Sequence, residues 1–172
     1  MSVLTVRPVT SHDAPALADL LNAIIRAGGT TALGTEFTPE ALDAAYLTGP
    51  KVFCCHIAMD DDGRALGFQT LGRYPGLPDD IGDIGTFAAI EAKQRGTGSA
   101  LFAATKARAL ELGHSAIHAT IRADNVGGLA FYTKLGFVDH GVTKAVPLAD
   151  GNLVDRVHKR VDLSFDDNGD AK

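Results

Sequence analysis

Residues 81–99 read IGDIGTFAAIEAKQRGTGS, an apolar and weakly charged segment that runs into a glycine-rich turn. We predict a long central strand over 81–90, because apolar residues with few charges are typical of a strand that is buried on both faces. A helix is expected over 98–112, and Gly113 ends it. The segment therefore predicts a strand, a glycine turn and a helix in direct succession.

The turn, Lys93-Gln94-Arg95-Gly96-Thr97-Gly98-Ser99, has the properties of a phosphate-binding helix start. Glycine lets the backbone approach a ligand without a side chain in the way. The first amides of a helix lack intrahelical partners, and the helix dipole favours an anion there. Lys93 and Arg95 add positive charge. A pyrophosphate fits these properties, but the motif alone fits a plain glycine-rich turn equally well.

Two common phosphate-binding patterns are absent from this turn. A Walker-type loop requires Gly-x-x-x-x-Gly-Lys-Ser/Thr, which the sequence does not contain. A Rossmann fingerprint requires a glycine three residues after Gly98, where Leu101 stands. Nucleoside triphosphates and NAD are therefore disfavoured as ligands.

The segments on either side of the turn predict the remaining strands and helices. Helices are expected from Ala14 to the stop at Gly28, after the cap at 38–40, and over 125–135. Strands are expected over 3–7, 52–59, 65–73, 116–121, 137–146 and 153–163. The order β-α-α-β-β-β-α-β-α-β-β predicts a mixed α/β sheet with helices on both faces. Such sheets bind ligands beyond the carboxyl end of a central strand, where the glycine turn lies.

Length and composition indicate one domain, which we assign to residues 1–165, followed by a disordered acidic tail at 166–172. The formal net charge of -5 disfavours a nucleic-acid-binding surface. No apolar stretch approaches the ~20 residues of a membrane helix, and no signal peptide is recognisable. We therefore expect a cytoplasmic protein without membrane contact. The adjacent Cys54 and Cys55 fit neither a disulfide framework nor a zinc site, and no metal is expected.

A second motif follows the first: Asn125, then Phe131-Tyr132-Thr133-Lys134-Leu135-Gly136-Phe137. GNAT acetyltransferases carry Gln/Arg-x-x-Gly-x-Gly/Ala at the start of one helix, then Asn, Tyr seven residues later, and x-Lys-x-Gly-Phe. The chain resembles this family over about 3–163, and most of all its phosphinothricin and methionine sulfoximine acetyltransferase branch. It departs from the pattern at Lys93, where Gln or Arg is usual.

The resemblance implies acetyl-CoA as the donor and a GNAT fold, with a mostly antiparallel sheet that is splayed at the cofactor site. Backbone amides of the turn would bind the pyrophosphate, and the segment 87–89 would pair with the pantetheine arm like an added strand. Asn125 would bind the pantetheine or line the thioester slot, and Lys134 would lie near the 3′-phosphate or simply face solvent. The implied cofactor-binding residues are Phe87, Ala88, Ala89, Lys93, Gln94, Arg95, Gly96, Thr97, Gly98, Ser99, Asn125, Tyr132 and Lys134.

Attack of an amine on a thioester needs a neutral amine, a stabilised oxyanion and a protonated leaving thiolate. A backbone amide near Ala88 or Ala89 is the candidate oxyanion donor. Tyr132 is the candidate acid that returns a proton to sulfur, with ring packing in the core as the alternative role.

Asp83 is the candidate general base, because in the phosphinothricin-type branch a glutamate stands at the matching position. A structural aspartate that caps the preceding turn is the alternative. Glu36 in the acceptor-side loop is a further candidate, and so is His118 on the next strand, with a structural histidine as the alternative for the latter. Glu91, beside the turn, is expected to stay solvated, because a carboxylate is repelled by a pyrophosphate.

The acceptor is expected to contact the loop 28–37 and the segment 73–80. The substrate-binding residues named on this basis are Thr31, Glu36, Arg73 and Tyr74, with Thr30 nearby. A small amine such as an amino acid is favoured, and Arg73 would bind its acid group unless it is a solvated loop arginine. Three functions stay open: a small-molecule N-acetyltransferase, an acetyltransferase of protein N-termini or lysines, and a CoA-binding regulatory module without turnover. A homodimer also stays open.

Overall fold

The computed structural model describes residues 3–92 and 96–163. Within these ranges the strands are β1 (Thr5–Pro8), β2 (Val52–Met59), β3 (Ala65–Gly72), β4 (Ile81–Ala88), β5 (Ala116–Arg122), β6 (Val138–Pro147) and β7 (Leu153–Asp162). The helices are α1 (Ala14–Ala27), α2 (Pro39–Leu42), α3 (Thr97–Glu111) and α4 (Val126–Lys134). This order matches the predicted one. The predicted tail at 166–172 lies outside the described residues.

The described strands form a single sheet in the order β1-β2-β3-β4-β5-β7-β6. Neighbouring strands are antiparallel at every pairing except that of β4 with β5, which is parallel. The prediction of a mixed, mostly antiparallel sheet is therefore confirmed. The parallel pair lies at the centre, and α3 makes the crossover between its strands, as a parallel connection requires.

Helices cover both faces of the sheet. On one face α1 and α2 pack against β2 and β3, with Leu21, Leu42 and Phe68 fully buried. On the other face α3 packs against β2, β3 and β4 while α4 packs against β5, and Phe102 and Ile117 belong to a second core there. Each such side chain contributes roughly 1.5–3 kcal/mol on burial, so the two cores fix the sheet between its helical layers.

The start of α1 shows how local sequence sets a helix. Asp13 accepts a hydrogen bond of 2.8 Å from the Thr10 amide, and its carboxylate binds the Arg7 guanidinium through two contacts of 2.8 Å. The Arg7 hydrogen bond lowers the pKa of Asp13, which opposes the effect of burial. The helix ends at Gly28, where φ is 69°.

Two elements differ from the prediction. The strand expected to reach Ile90 ends at Ala88, because Ile90–Ala92 form a 3-10 turn in which the Ala92 amide donates to the Ala89 carbonyl. The second helix has four residues before it widens into a π-helical turn at Asp43–Leu47. Both cysteines are free, and Cys55 is buried.

The strands β4 and β5 separate at their carboxyl ends. They pair only over four positions, from Ile81 with Ala116 to Ile84 with Ala119. Beyond these positions β4 stays paired with β3 as far as Ala88, and β5 stays paired with β7 as far as Arg122. A gap therefore opens inside the sheet, between two strands that are each held from the other side.

Candidate active site

A cavity of about 1080 Å³ lies at the gap between β4 and β5. The sheet contributes residues 85–88 and 120–122, and the helices α3 and α4 contribute Gly98, Gly127, Gly128, Phe131 and Tyr132. The loop at 30–33 and the segment 44–46 enclose the other side. This volume is at the upper end of the range for ligand sites, which suits a large cofactor together with a second substrate.

The glycine turn forms the start of α3 beside this cavity. Gly96 has a φ of 73° and precedes the helix, and its carbonyl accepts the first helical hydrogen bond, from Ala100 at 3.0 Å. The amides of Thr97, Gly98 and Ser99 therefore have no carbonyl within the helix to donate to. Lys93, Gln94 and Arg95, which were predicted to bind the cofactor, lie outside the described residues.

Gly98 allows a close approach that no other residue type would permit. A Cβ atom built at this position would lie 2.6 Å from the Phe131 ring, and Gly98 itself lines the cavity. Phe131 is on α4, so the absence of a side chain at 98 lets the two helices meet at the cavity wall. These features fit a diphosphate held by the start of α3.

The segment 87–89, predicted to bind the pantetheine arm, has backbone amides that point in alternate directions. The Ala89 amide donates to the Leu66 carbonyl at 2.8 Å, towards β3, so it is not free to bind an oxyanion. Since successive amides of a strand alternate, the Ala88 amide points towards the gap. Phe87 and Ala88 line the cavity, and Ala88 is the better placed of the two predicted oxyanion donors.

Tyr132 lies on α4 with its hydroxyl at the gap. Its oxygen shares a hydrogen bond of 2.9 Å with the hydroxyl of Thr86 on β4, and the ring packs against Phe131 and Phe137. Burial raises the pKa of Tyr132, so the phenol stays protonated at any ordinary pH. The ring therefore packs in the core, while Tyr132 also lines the cavity.

Asn125 and Lys134 occupy the two ends of α4. The Asn125 side chain caps the helix by accepting from the Gly128 amide at 2.9 Å, and it donates to the Thr30 carbonyl at 3.1 Å. It lines the cavity and ties the acceptor-side loop to α4. Lys134 is exposed in the last turn and is not part of the cavity wall.

Asp83 and His118 form a pair on the parallel strands. They face each other in the register of β4 and β5, and His118 Nδ1 lies 2.8 Å from Asp83 Oδ1. Asp83 lines the cavity, and His118 is only 5% exposed. His158 on β7 stacks against His118 with ring centroids 5.3 Å apart. Two residues predicted as alternative bases are thus one hydrogen-bonded unit.

The predicted acceptor residues are divided between the cavity and the surface. Thr31, Arg73 and Tyr74 line the cavity, although Arg73 also forms an ion pair with Asp79. Glu36 does not line it and forms an exposed ion pair with Arg26.

Glu91 is exposed and forms an ion pair with Arg64. Its carboxylate lies at the surface, where we predicted that it stays solvated, and Arg64 balances its charge.

The cavity residues that sequence reasoning missed include Thr86, Arg122 and Arg156. Thr86 faces Tyr132, and Arg122 binds Asp124 while donating to the Thr31 carbonyl. The available signal for Arg122 was an arginine at the end of the largely apolar strand β5, whereas β7 carries charged residues along its length and gave no such signal for Arg156. The partners of these residues come from distant parts of the chain, so spacing alone could not find them.

A gap in a mixed sheet, a helix start beside it, and Tyr132 and Asp83 at the wall of the same cavity are the features expected of an acyl-transferring enzyme. Residues 4–138 match the model of the acetyltransferase (GNAT) domain. The chain therefore belongs to the GNAT acetyltransferase family and is an acetyltransferase that uses acetyl-CoA. No curated protein sequence is significantly similar to it.

Solved structures of the same fold cover nearly the whole chain. A GCN5-related N-acetyltransferase from Kribbella flavida is 25% identical, with a TM-score of 0.79 over 93% of this chain and 98% of its own. A phosphinothricin acetyltransferase from Sinorhizobium meliloti in complex with AcCoA is 18% identical, with a TM-score of 0.81 over 98% and 93%. A ribosomal-protein-alanine N-acetyltransferase from Brucella melitensis is 20% identical, with a TM-score of 0.79 over 92% and 99%.

Among the helices of the described ranges, none has the length and apolar character needed to cross a membrane.

Proposed function

We propose that the chain transfers the acetyl group of acetyl-CoA directly to the primary amine of a small molecule such as an amino acid or an analogue. The observation that carries the proposal is the gap between β4 and β5, with the Tyr132 hydroxyl and the Asp83 carboxylate both at the wall of one cavity. We also expect this to take place in the cytoplasm.

The turn and the strand would hold the cofactor. The amides of Thr97, Gly98 and Ser99 would bind the diphosphate, and the part of β4 without a partner on the gap side would bind the pantetheine arm. Bound there, acetyl-CoA supplies a thioester carbon for the amine to attack and a thiolate that leaves.

The side chains around the gap would move the protons. Asp83, at the cavity wall, would take a proton from the incoming ammonium group, directly or through water, and its hydrogen bond to His118 would hold the carboxylate in place. The Ala88 amide would stabilise the developing oxyanion. The Tyr132 hydroxyl, kept protonated by burial, would give a proton to the leaving sulfur and regain one, through water, from the attacking nitrogen as the amide forms.

The charge of the acceptor side favours a small anionic amine over a protein substrate. A protein acetyltransferase would be expected to offer a shallow acidic groove. Here the cavity is lined by Lys51, Arg73, Arg122 and Arg156, with Asp83 as the only carboxylate among the described lining residues.

A panel of amines assayed with acetyl-CoA tests the proposal through release of free thiol. We expect thiol release with one or more small amines, amino acids included. We expect none with long peptides whose only amine is a lysine side chain or the N-terminus. Cofactor binding without thiol release on any amine would instead indicate the regulatory module. Turnover restricted to long peptides would indicate a protein acetyltransferase.

A further inference from the structure

Arg156 is a buried arginine at the cavity wall whose charge is not balanced. It lies on β7, is only 8% exposed and lines the cavity. Its Nη1 donates to the Val154 carbonyl at 3.1 Å. Across residues 3–92 and 96–163, no carboxylate forms an ion pair with it.

The neighbouring Arg122, by comparison, has a carboxylate partner. The two arginines face each other across β5 and β7, so their side chains lie on the same side of the sheet. Arg122 binds both oxygens of Asp124, at 2.8 and 2.7 Å, and donates to the Thr31 carbonyl at 3.0 Å. The pKa of Asp124 is lowered chiefly by this hydrogen bond to Arg122, and the charge of Arg156 contributes least among the causes.

Two like charges directly opposite each other in a sheet destabilise it unless anions balance them. A buried charge without a partner is costly, and protein interiors normally pair it. Asp124 balances one of the two guanidinium groups. The site is therefore one anion short, and the place for that anion is the cavity that Arg156 lines.

The position of Arg156 relative to the gap suits an acceptor molecule. Only β5 separates β7 from the gap, and neighbouring strands lie about 4.8 Å apart. A long arginine side chain can therefore reach an acid group a few bonds away from an amine held at the gap. The planar fork of a guanidinium matches the two oxygens of a carboxylate.

We propose that Arg156 binds the carboxylate of the acceptor and so restricts the enzyme to amines that carry an acid group. This inference rests on the proposed function and assigns the residue that selects the substrate. The sequence favoured Arg73 for this role, but Arg73 already has Asp79 as a partner and is half-exposed.

The test compares L-amino acids with their C-terminal amides, which keep the amine and lose the acid. Thiol release is measured for the wild type and for Arg156→Met, Arg73→Met and Arg108→Met, the last being an exposed arginine on α3. We expect the wild type to prefer the acids. In Arg156→Met the KM for acids should rise on the order of 100-fold. The KM for amides and for acetyl-CoA should stay within about threefold, as should every value for Arg108→Met.

Arg156→Lys provides a second test in case Arg156→Met does not fold. It keeps the charge but loses the planar fork, and we expect a selective rise in KM for the acids that is smaller than in Arg156→Met. Equal losses with acids and amides, an acid-specific loss in Arg73→Met alone, or a wild type that prefers amides would each overturn the proposal.

Calorimetry separates this inference from the transferase function. L-amino acids are titrated into the chain saturated with free CoA, so that no chemistry occurs. Binding that depends on Arg156, without thiol release in the assay, would support the anion site and reject these amines as the acetyl acceptors. Thiol release that ignores Arg156 would do the reverse.

Discussion

At the scale of single residues, Tyr132 combines two roles in one side chain. Its ring packs in the core between α4 and the sheet, and its hydroxyl forms a hydrogen bond with Thr86 at the gap. Burial raises the pKa of the phenol, so Tyr132 carries its proton before acyl transfer begins.

Replacing Tyr132 by Phe should therefore lower turnover far more than cofactor affinity. General acids contribute about 100-fold or more to a rate, and we expect a loss of at least that size in kcat. The phenylalanine keeps the ring contacts, so affinity for CoA by calorimetry should change less than threefold. Thr86→Val keeps the phenol and should lose less activity. Unchanged turnover in Tyr132→Phe would remove Tyr132 from the mechanism.

The pair Asp83–His118 shows what residue-level reading of the sequence can and cannot supply. Each residue could be named as a candidate base from its chemistry. Their contact depends on the parallel register of β4 and β5, which brings together positions 35 residues apart. No local pattern encodes that register, and the same holds for Arg122 and Arg156 on β5 and β7.

At the scale of elements, the start of α3 depends on the space at Gly98. A valine there would drive its branched carbons into the Phe131 ring, which lies 2.6 Å from the position of a Cβ atom. We expect Gly98→Val to abolish CoA binding measured by calorimetry. Ala103→Val, on the exposed side of the same helix, controls for the lower helix propensity of valine. Intact binding in Gly98→Val would show that the diphosphate lies elsewhere.

The start of α1 predicts a pH-dependent contribution to stability. Asp13 accepts from the Thr10 amide and the Arg7 side chain, so Asp13→Asn should lower the free energy of unfolding by about 1 kcal/mol at pH 7. Because the pKa of Asp13 is lowered in the folded state, its contribution is present above the pKa of the unfolded chain, near ~3.9, and is lost as the pH falls.

Urea unfolding of both proteins across a pH series measures this difference. The wild type and Asp13→Asn should converge in stability in strong acid. Asp19→Asn, an exposed carboxylate later in the same helix, is the matched control and should show a much smaller difference at pH 7. A gap that persists unchanged at low pH would contradict the assigned role of the carboxylate.

At the scale of the whole molecule, the order of elements, the layers and the family were all predictable from the sequence. Periodicity and glycine stops located α1, α3 and the central strand, because these signals are local. The strand end at Ala88 was missed by two residues, since the apolar run continues into a 3-10 turn. The gap itself was implied by family resemblance alone, because strand separation leaves no mark in hydrophobic spacing.

The parallel pairing of β4 with β5 spans only four positions, so the sheet consists of two half-sheets joined by a short seam. A molecule bound in the gap would contact both half-sheets. Because it binds only the folded state, it would raise the free energy of unfolding. The cellular concentration of acetyl-CoA would then affect the stability of this protein as well as its turnover.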